Sequence, residues 1–337
     1  MRCNHWMRFL VALLLLAPQA AAAERTVSEI SLEDDPWILA DPLTATYYLY
    51  CGTGDPETPT ATASVTMYRS SDLRTWEGPR TVLTVPEDGW ANPANGLSSP
   101  EVHVYRGKYY LLATLQNRDS IIDKPPDSWR TTHLRGAEIF VSDSPEGPFQ
   151  RLPNRADGPV QPADFMTADG TLYVEDAVAY LVYAHEWVQL IDGTMEAIEL
   201  KTDLSEALGD PFYLFRASSA PWLREQYRAS AEPRFYVSAG PQFYKTKSKK
   251  LLMLWSSFRD GLYVQTIAYS LSGRLRGPWR QAEPILGDDR GHGMIFERFD
   301  GRLVLVVRHP RREPSRMEYY EMEDTGETLR VKRKIPL

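Results

Sequence analysis

Cysteine is nearly absent from this chain of 337 residues: there are two, Cys3 and Cys51. Cys3 lies in a leader-like opening, so the remainder holds one thiol. That excludes an internal disulfide and any cysteine-based metal cluster. Cys51 sits in the apolar run YYLYCG and reads as a buried, inert thiol. A surplus of positive charge is also missing: 45 Asp and Glu stand against 38 Lys and Arg, a formal charge of −7. An acidic chain is a poor partner for nucleic acid or an anionic membrane surface. Long helical patterns are absent too, apart from an expected single turn at Leu204–Leu208. The one extended hydrophobic run, Phe9–Ala17, is too short to span a bilayer.

That run belongs to MRCNHWMRFLVALLLLAPQAAAAE, which has a positive start at Arg2 and Arg8. Ala21 and Ala23 fit an A-x-A cleavage pattern. Residues 1–23 are therefore expected to be a signal peptide and residues 24–337 a single exported domain, periplasmic or extracellular. No cysteine follows the cleavage point, so a lipid anchor is not expected. Losing Arg2 and Arg8 makes the mature chain still more acidic. Neither nucleic acid nor, once the leader is gone, a membrane is an expected partner, and the expected state is a monomer.

What is present is a repeat. Apolar runs recur at Tyr47–Tyr50, Tyr109–Leu112, Ala179–Val182, Leu251–Leu254 and Leu303–Val306. Each follows a shorter apolar or aromatic run (DPWIL, PEVHVY, GTLYV, PQFY, GMIF) across a turn such as YRGK or FDGR. After most of them come a third strand-like run, a turn rich in Ser, Asp or Gly, and a Pro or aromatic residue. Four antiparallel strands per unit, repeated five times, describe an all-β fold: a five-bladed β-propeller with a central funnel. The stretch from Asp119 to Arg135 reads as an insertion on one face.

In a propeller the first strand of every blade lines the channel, so residues opening those strands converge. Read from the sequence, they are Asp35, Glu101, Asp169, Ala239 and His292. Glu186, late in a second strand, is placed to reach the rim; it and its neighbour His185 face opposite sides of the strand, so at most one of them points to the ligand. Separated carboxylates on a rigid ring suit glycoside hydrolysis, in which one takes a proton from water and another protonates the leaving oxygen. Trp37, Trp90, Trp187, Tyr183 and Phe258 are candidates for stacking on sugar faces, and His185 and His309 complete the substrate-side candidates. His292, between two glycines in RGHGM, projects into the channel. It has no second His or Cys at ligand spacing, which argues against a zinc site.

From Asp34 to His309 the chain resembles glycoside hydrolase family 43, five-bladed propellers of the arabinanase, arabinofuranosidase and β-xylosidase type. DPWI with YYLYCG resembles the first-blade motif whose Asp is the general base, which implies that role for Asp35. SSPEV is similar to the second-blade signature, with Ser98 and Ser99 replacing Trp and Ala. ADGTLYV resembles the third-blade segment and implies that Asp169 tunes and orients the acid. GHGMIF resembles the segment whose His helps to hold calcium or another cation in the channel, which implies His292; no organic cofactor is implied. HEWVQLIDGTMEAI is similar to one branch of the family. The general acid of the family precedes a Gly-Pro in the fourth blade, and here that position is Ala239. Three readings follow: an inverting glycosidase of pentose-containing glycans with Glu101, Glu186 or Glu232 as substitute donor, a catalytically impaired carbohydrate-binding propeller, or a sucrose- or fructan-type relative. The third lacks its W-M-N-D-P-N and E-C signatures.

Overall fold

Each of the five apolar runs is the second strand of a four-stranded antiparallel sheet. The computed structural model describes residues 24–32, 34–53, 62–124, 130–223, 235–311 and 314–337. The expected leader and Glu232 lie outside them. Blade 1 comprises Trp37–Asp41, Thr46–Thr53, Ser64–Ser70 and Thr75–Thr84, with Glu24–Thr26 added to its outer edge. Blade 2 runs Leu97–Tyr105, Lys108–Ile121, His133–Ser142 and Gln150–Arg151. Blade 3 follows with Thr167–Glu175, Val178–His185, Thr194–Leu200 and Ala207–Arg216. Blade 4 takes Ala239–Lys245, Leu251–Arg259, Leu262–Ser270 and Trp279–Gln281, and blade 5 Met294–Glu297, Leu303–His309, Arg316–Asp324 and Leu329–Ile335.

Second strands are apolar on both sides because each is covered by a neighbouring blade on either face. Buried clusters fill the wedges between blades. One joins blade 1 to blades 2 and 5, and the others join blades 2 and 3, 3 and 4, and 4 and 5. The insertion expected between Asp119 and Arg135 is an extension of the central hairpin of blade 2, where Asn117 pairs with Leu134 and Ile121 with His133. Among the described residues no helix is long and apolar enough to cross a membrane.

The expected helical turn at Leu204–Leu208 does not form. Asp203 Oδ1 accepts the backbone N–H and the hydroxyl of Ser205, and Leu204 takes a φ of +61°. A side chain that satisfies the local backbone competes with a helix for it. A short helix stands instead at Trp187–Leu190, inside the HEW stretch.

Blade 5 and blade 1 are built from opposite ends of the chain and share no strand, so side chains close the ring together with one isolated bridge between Leu32 and Ser315. The backbone N–H of Phe299 donates to Tyr47 Oη at 3.0 Å, and the two rings stack with centroids 4.3 Å apart. Phe296 meets Tyr47 edge-on at 6.0 Å. Tyr47→Ala is therefore expected to cost about 3–5 kcal/mol, the range for emptying a buried aromatic site. Tyr47→Phe, which loses the hydrogen bond alone, should cost about 1 kcal/mol. Thermal unfolding checks both, and an unchanged midpoint for Tyr47→Ala would mean that closure rests elsewhere.

Candidate active site

Four of the first strands open on the same irregularity. Ser99, Asp169, Gly240 and His292 have left-handed φ values of 52°, 56°, 58° and 52°. Pairing with the second strand slips at this point in blades 2, 3 and 4. A bulge re-aims a side chain, here toward the shared axis. Holding a non-glycine residue in that conformation costs about 1–3 kcal/mol, and such strain gathers at functional sites.

The structural phase therefore differs from the expected one by a small offset. The residue before a Pro or Gly marks it: Asp35-Pro36, Ser99-Pro100, Asp169-Gly170, Gly240-Pro241 and His292-Gly293. Glu101 lies two residues beyond this phase and Ala239 one before it. His292 precedes its strand, which begins at Met294.

Bonds between these positions link all five blades. Asp34 Oδ2 accepts the N–H of Ser99 at 2.5 Å, and Ser99 Oγ donates to Asp169 Oδ1 at 2.8 Å. Asp169 Oδ2 accepts the N–H of Gly240 at 3.0 Å. Gly240 lies against His292 so closely that a Cβ on it would fall 2.5 Å from the imidazole Cδ2. His292 Nδ1 is 2.9 Å from Asp35 Oδ2, which returns the ring to blade 1. Arg308 Nε lies 3.3 Å from Asp35 Oδ1.

Two adjacent aspartates thus have opposite characters. Burial alone would raise the pKa of Asp35, but His292 and Arg308 hold it well below the usual carboxylate range. Asp34 is pushed up to about 6 by burial and by the charge of Asp35. Burial would depress His292, yet Asp35 and Asp169 raise it to about 9, so at neutral pH it is an imidazolium. Asp35, Trp37, Ser99, Glu101, Gly240 and His292 line a cavity of about 20 Å³. That is room for one water molecule.

Glu101 lies in this cavity wall and pairs with His103 Nε2 at 2.8 Å. Burial raises its pKa against the opposing pull of His103. Trp37 donates to the carbonyl of Val102 at 3.0 Å and packs on His103. Ala239 is buried beside Phe235, Val237 and Tyr263, with Trp187, Ile191 and Phe258 packed around them. Trp187 stacks on Phe235 with centroids 4.0 Å apart, and Phe258 contacts Tyr263 at 4.8 Å. Where the sequence pattern calls for an acid, the structure has an aromatic wall.

Other candidates have partners away from this ring. Glu186 caps the short helix and pairs with Arg135 at 2.8 Å. His185 bonds Gln189 and Glu196 and stacks on Phe165. Tyr183 is fully buried and donates to Glu196, while Trp90 donates to Glu138 Oε2 at 2.7 Å. His309 pairs with Glu318 at 3.2 Å. Asp34, Ser99, Arg308, Tyr263 and Arg311 were not among the sequence candidates. The repeated residue-before-Pro/Gly pattern would have found Ser99; Arg308 and Arg311 carry no such signal.

The side chains around His292 do not fit a resident cation held by protein donors. Among the described residues no three His, Cys, Asp or Glu are grouped to hold a metal ion. The Nδ1 of His292 is committed to Asp35.

The pair has a pH signature. Because the folded-state pKa of His292 is raised, its stabilisation is complete below about 6.5, the value of free imidazole, and is lost as pH rises through about 9. The contribution of Asp35, whose pKa is lowered, is present above about 3.9 and is lost only in strong acid. His292→Gln should therefore lower the melting temperature at pH 7, with the gap to the unsubstituted protein closing by pH 10. A gap independent of pH would contradict the imidazolium.

Comparison with known proteins agrees with this geometry. The profile described as "Glycosyl hydrolases family 43" matches residues 29–333. A search of curated proteins found no match. Among solved structures, the endo-arabinase of Bacteroides thetaiotaomicron VPI-5482 superposes with a TM-score of 0.76 at 33% identity, over 90% of this chain and 98% of that one. An α-L-arabinofuranosidase from Lactobacillus brevis shares the fold, with a TM-score of 0.66 at 15% identity over 91% and 94% of the two chains. With a bulged ring of five blades, an ionised aspartate on its axis and a match over nearly the whole of the described structure, the chain belongs to glycosyl hydrolases family 43.

Proposed function

We propose that this glycosidase hydrolyses arabinose- or xylose-containing polysaccharides or oligosaccharides with inversion, using Asp35 as general base. The observation that carries the reading is the state of Asp35: held ionised by His292 and Arg308, and facing a cavity the size of one water. The water gives its proton to Asp35 while its oxygen attacks the anomeric carbon, and the leaving oxygen departs from the opposite face. The likeness to an endo-arabinase supports arabinan among the substrates. The leader-like first 23 residues support an exported enzyme.

The leaving side sets this chain apart. Residue 239 supplies no proton, and general-acid assistance is ordinarily worth about 10²–10⁴ in rate, or roughly 3–5 kcal/mol of barrier. Asp169, whose implied role is to tune that acid, has its carboxylate oxygens bonded to Ser99 and Gly240. Glu101 is the substitute best suited by ionisation, since burial favours its protonated form. Glu186 is committed to Arg135, and Glu232 lies outside the described residues. The same alanine favours a second reading, a propeller that binds carbohydrate and cuts it poorly.

Two measurements test these roles. Aryl pentosides with good leaving groups should be cleaved at least about 10²-fold faster than natural linkages, as expected without an acid; equal rates would point to a surrogate donor. Ala239→Glu should raise activity on natural oligosaccharides by a similar factor. Asp35→Asn should abolish hydrolysis of either substrate, and undiminished turnover would remove Asp35 from the mechanism.

A further inference from the structure

The wall around Ala239 is bounded by arginine. At one edge the guanidinium of Arg130 lies 4.7 Å from the Trp187 ring centroid. From there the apolar cluster runs through Phe235, Val237 and Ala239 to Tyr263 and Phe258. At the other edge Arg311 sits 4.2 Å over Tyr263 and 5.9 Å from Phe258. Arg311 is anchored through its backbone: its N–H donates to Asp289 Oδ2 at 3.1 Å, and Asp289 Oδ1 accepts the N–H of Tyr263 at 3.4 Å. The guanidinium lies over the Tyr263 ring, and its Nη1 is buried with no hydrogen-bond partner. A buried N–H left unpaired is costly, more so on a charged group.

The acids nearest to it are already matched. Asp35 and Asp169 both act on Arg311 electrostatically. Asp35 is balanced by His292 and Arg308, while Asp169 accepts from Ser99 and Gly240. Asp289 accepts the two backbone N–H groups. Alanine at position 239 supplies no carboxylate to this wall, and the guanidinium over Tyr263 keeps one donor without a partner. Guanidinium groups pair with carboxylates in a two-pronged geometry that ammonium groups cannot copy.

We propose that Arg311 binds a carboxylate on the leaving-group side of the substrate, so that the sugar seated against this wall is a uronic acid. The inference rests on the glycosidase reading only for the identity of the leaving side. Arg311 is only partly buried as a residue, so part of its side chain reaches solvent beside this wall.

Calorimetric titration tests this with two probes: a disaccharide of a pentose linked to a uronic acid, and the same disaccharide after reduction of its carboxyl group. The unsubstituted protein should bind the acidic form at least tenfold more tightly at low ionic strength, with the preference shrinking in high salt. Arg311→Gln should erase the preference, and Arg311→Lys should keep part of it, which separates a lost contact from a damaged fold. Equal affinity for the two probes, no binding of either, or a preference that survives Arg311→Gln would each overturn the assignment. Displacement of the acidic disaccharide by equimolar inorganic phosphate would also overturn it, since the seat would then recognise any anion. Hydrolysis of aryl pentosides, scored separately, reports on the glycosidase reading without bearing on this preference.

Discussion

The contact of His292 with Asp35 joins the last blade to the first, and the charge state of the site follows from it. Without the imidazolium, burial would raise the pKa of Asp35 and weaken its claim to be ionised. Without the ionised Asp35, burial would depress His292. Each group is charged because the other is, and Arg308 biases the pair further toward the carboxylate. Asp34 shows the opposite balance: burial and the charge of Asp35 push its pKa up to about 6 against the pull of Arg308 and the N–H groups of Asp35 and Ser99.

That pair can form because four blades place a left-handed residue at the same point of the first strand. The left-handed residue turns Ser99 and Asp169 toward the axis within bulges and His292 just ahead of its strand, and the strain is borne by paired sheets on either side. The bonds from Asp34 through Ser99 and Asp169 to Gly240 are each made across a blade boundary. Ring closure and site geometry are therefore mechanically one structure. The hydrophobic wedges and the Tyr47–Phe299 stack hold the blades at the spacing these bonds require.

Much of this was legible in the chain. The apolar runs at Tyr47, Tyr109, Ala179, Leu251 and Leu303 are blade-centre strands because double-sided burial leaves a strong local pattern. Asp35, Asp169 and His292 were legible because a Pro or Gly follows each one. The offset of Glu101 and Ala239 was not, since a bulge shifts side-chain phase without altering the hydrophobic alternation that reveals a strand. Arg308 and Arg311 were hidden for another reason. They lie at the end of a second strand and just beyond it, and only the closing of the ring brings them near Asp35. The failed helix at Leu204 shows local chemistry prevailing over composition, with Asp203 and Ser205 settling the turn.

The bulge also explains how an acid at position 239 can be absent while the rest of the ring stands. Gly240 holds the ring position in blade 4, and it has to be glycine: its φ is +58°, and a Cβ would collide with His292. Position 240 therefore contributes only a backbone N–H to the ring, through its bond to Asp169, while Ser256 of the same blade accepts the N–H of His292. Any acid from this blade has to stand one residue earlier, outside the bonded circuit. Replacing it with Ala239 breaks none of the contacts that fix Asp35, His292 or Asp169. The proton donor is thus separable from the scaffold, whereas the base is not, because Asp35 is itself a member of the circuit. A chain with this architecture can change what happens on the leaving side, from proton donation to recognition of a charged sugar, and still fold around an ionised Asp35.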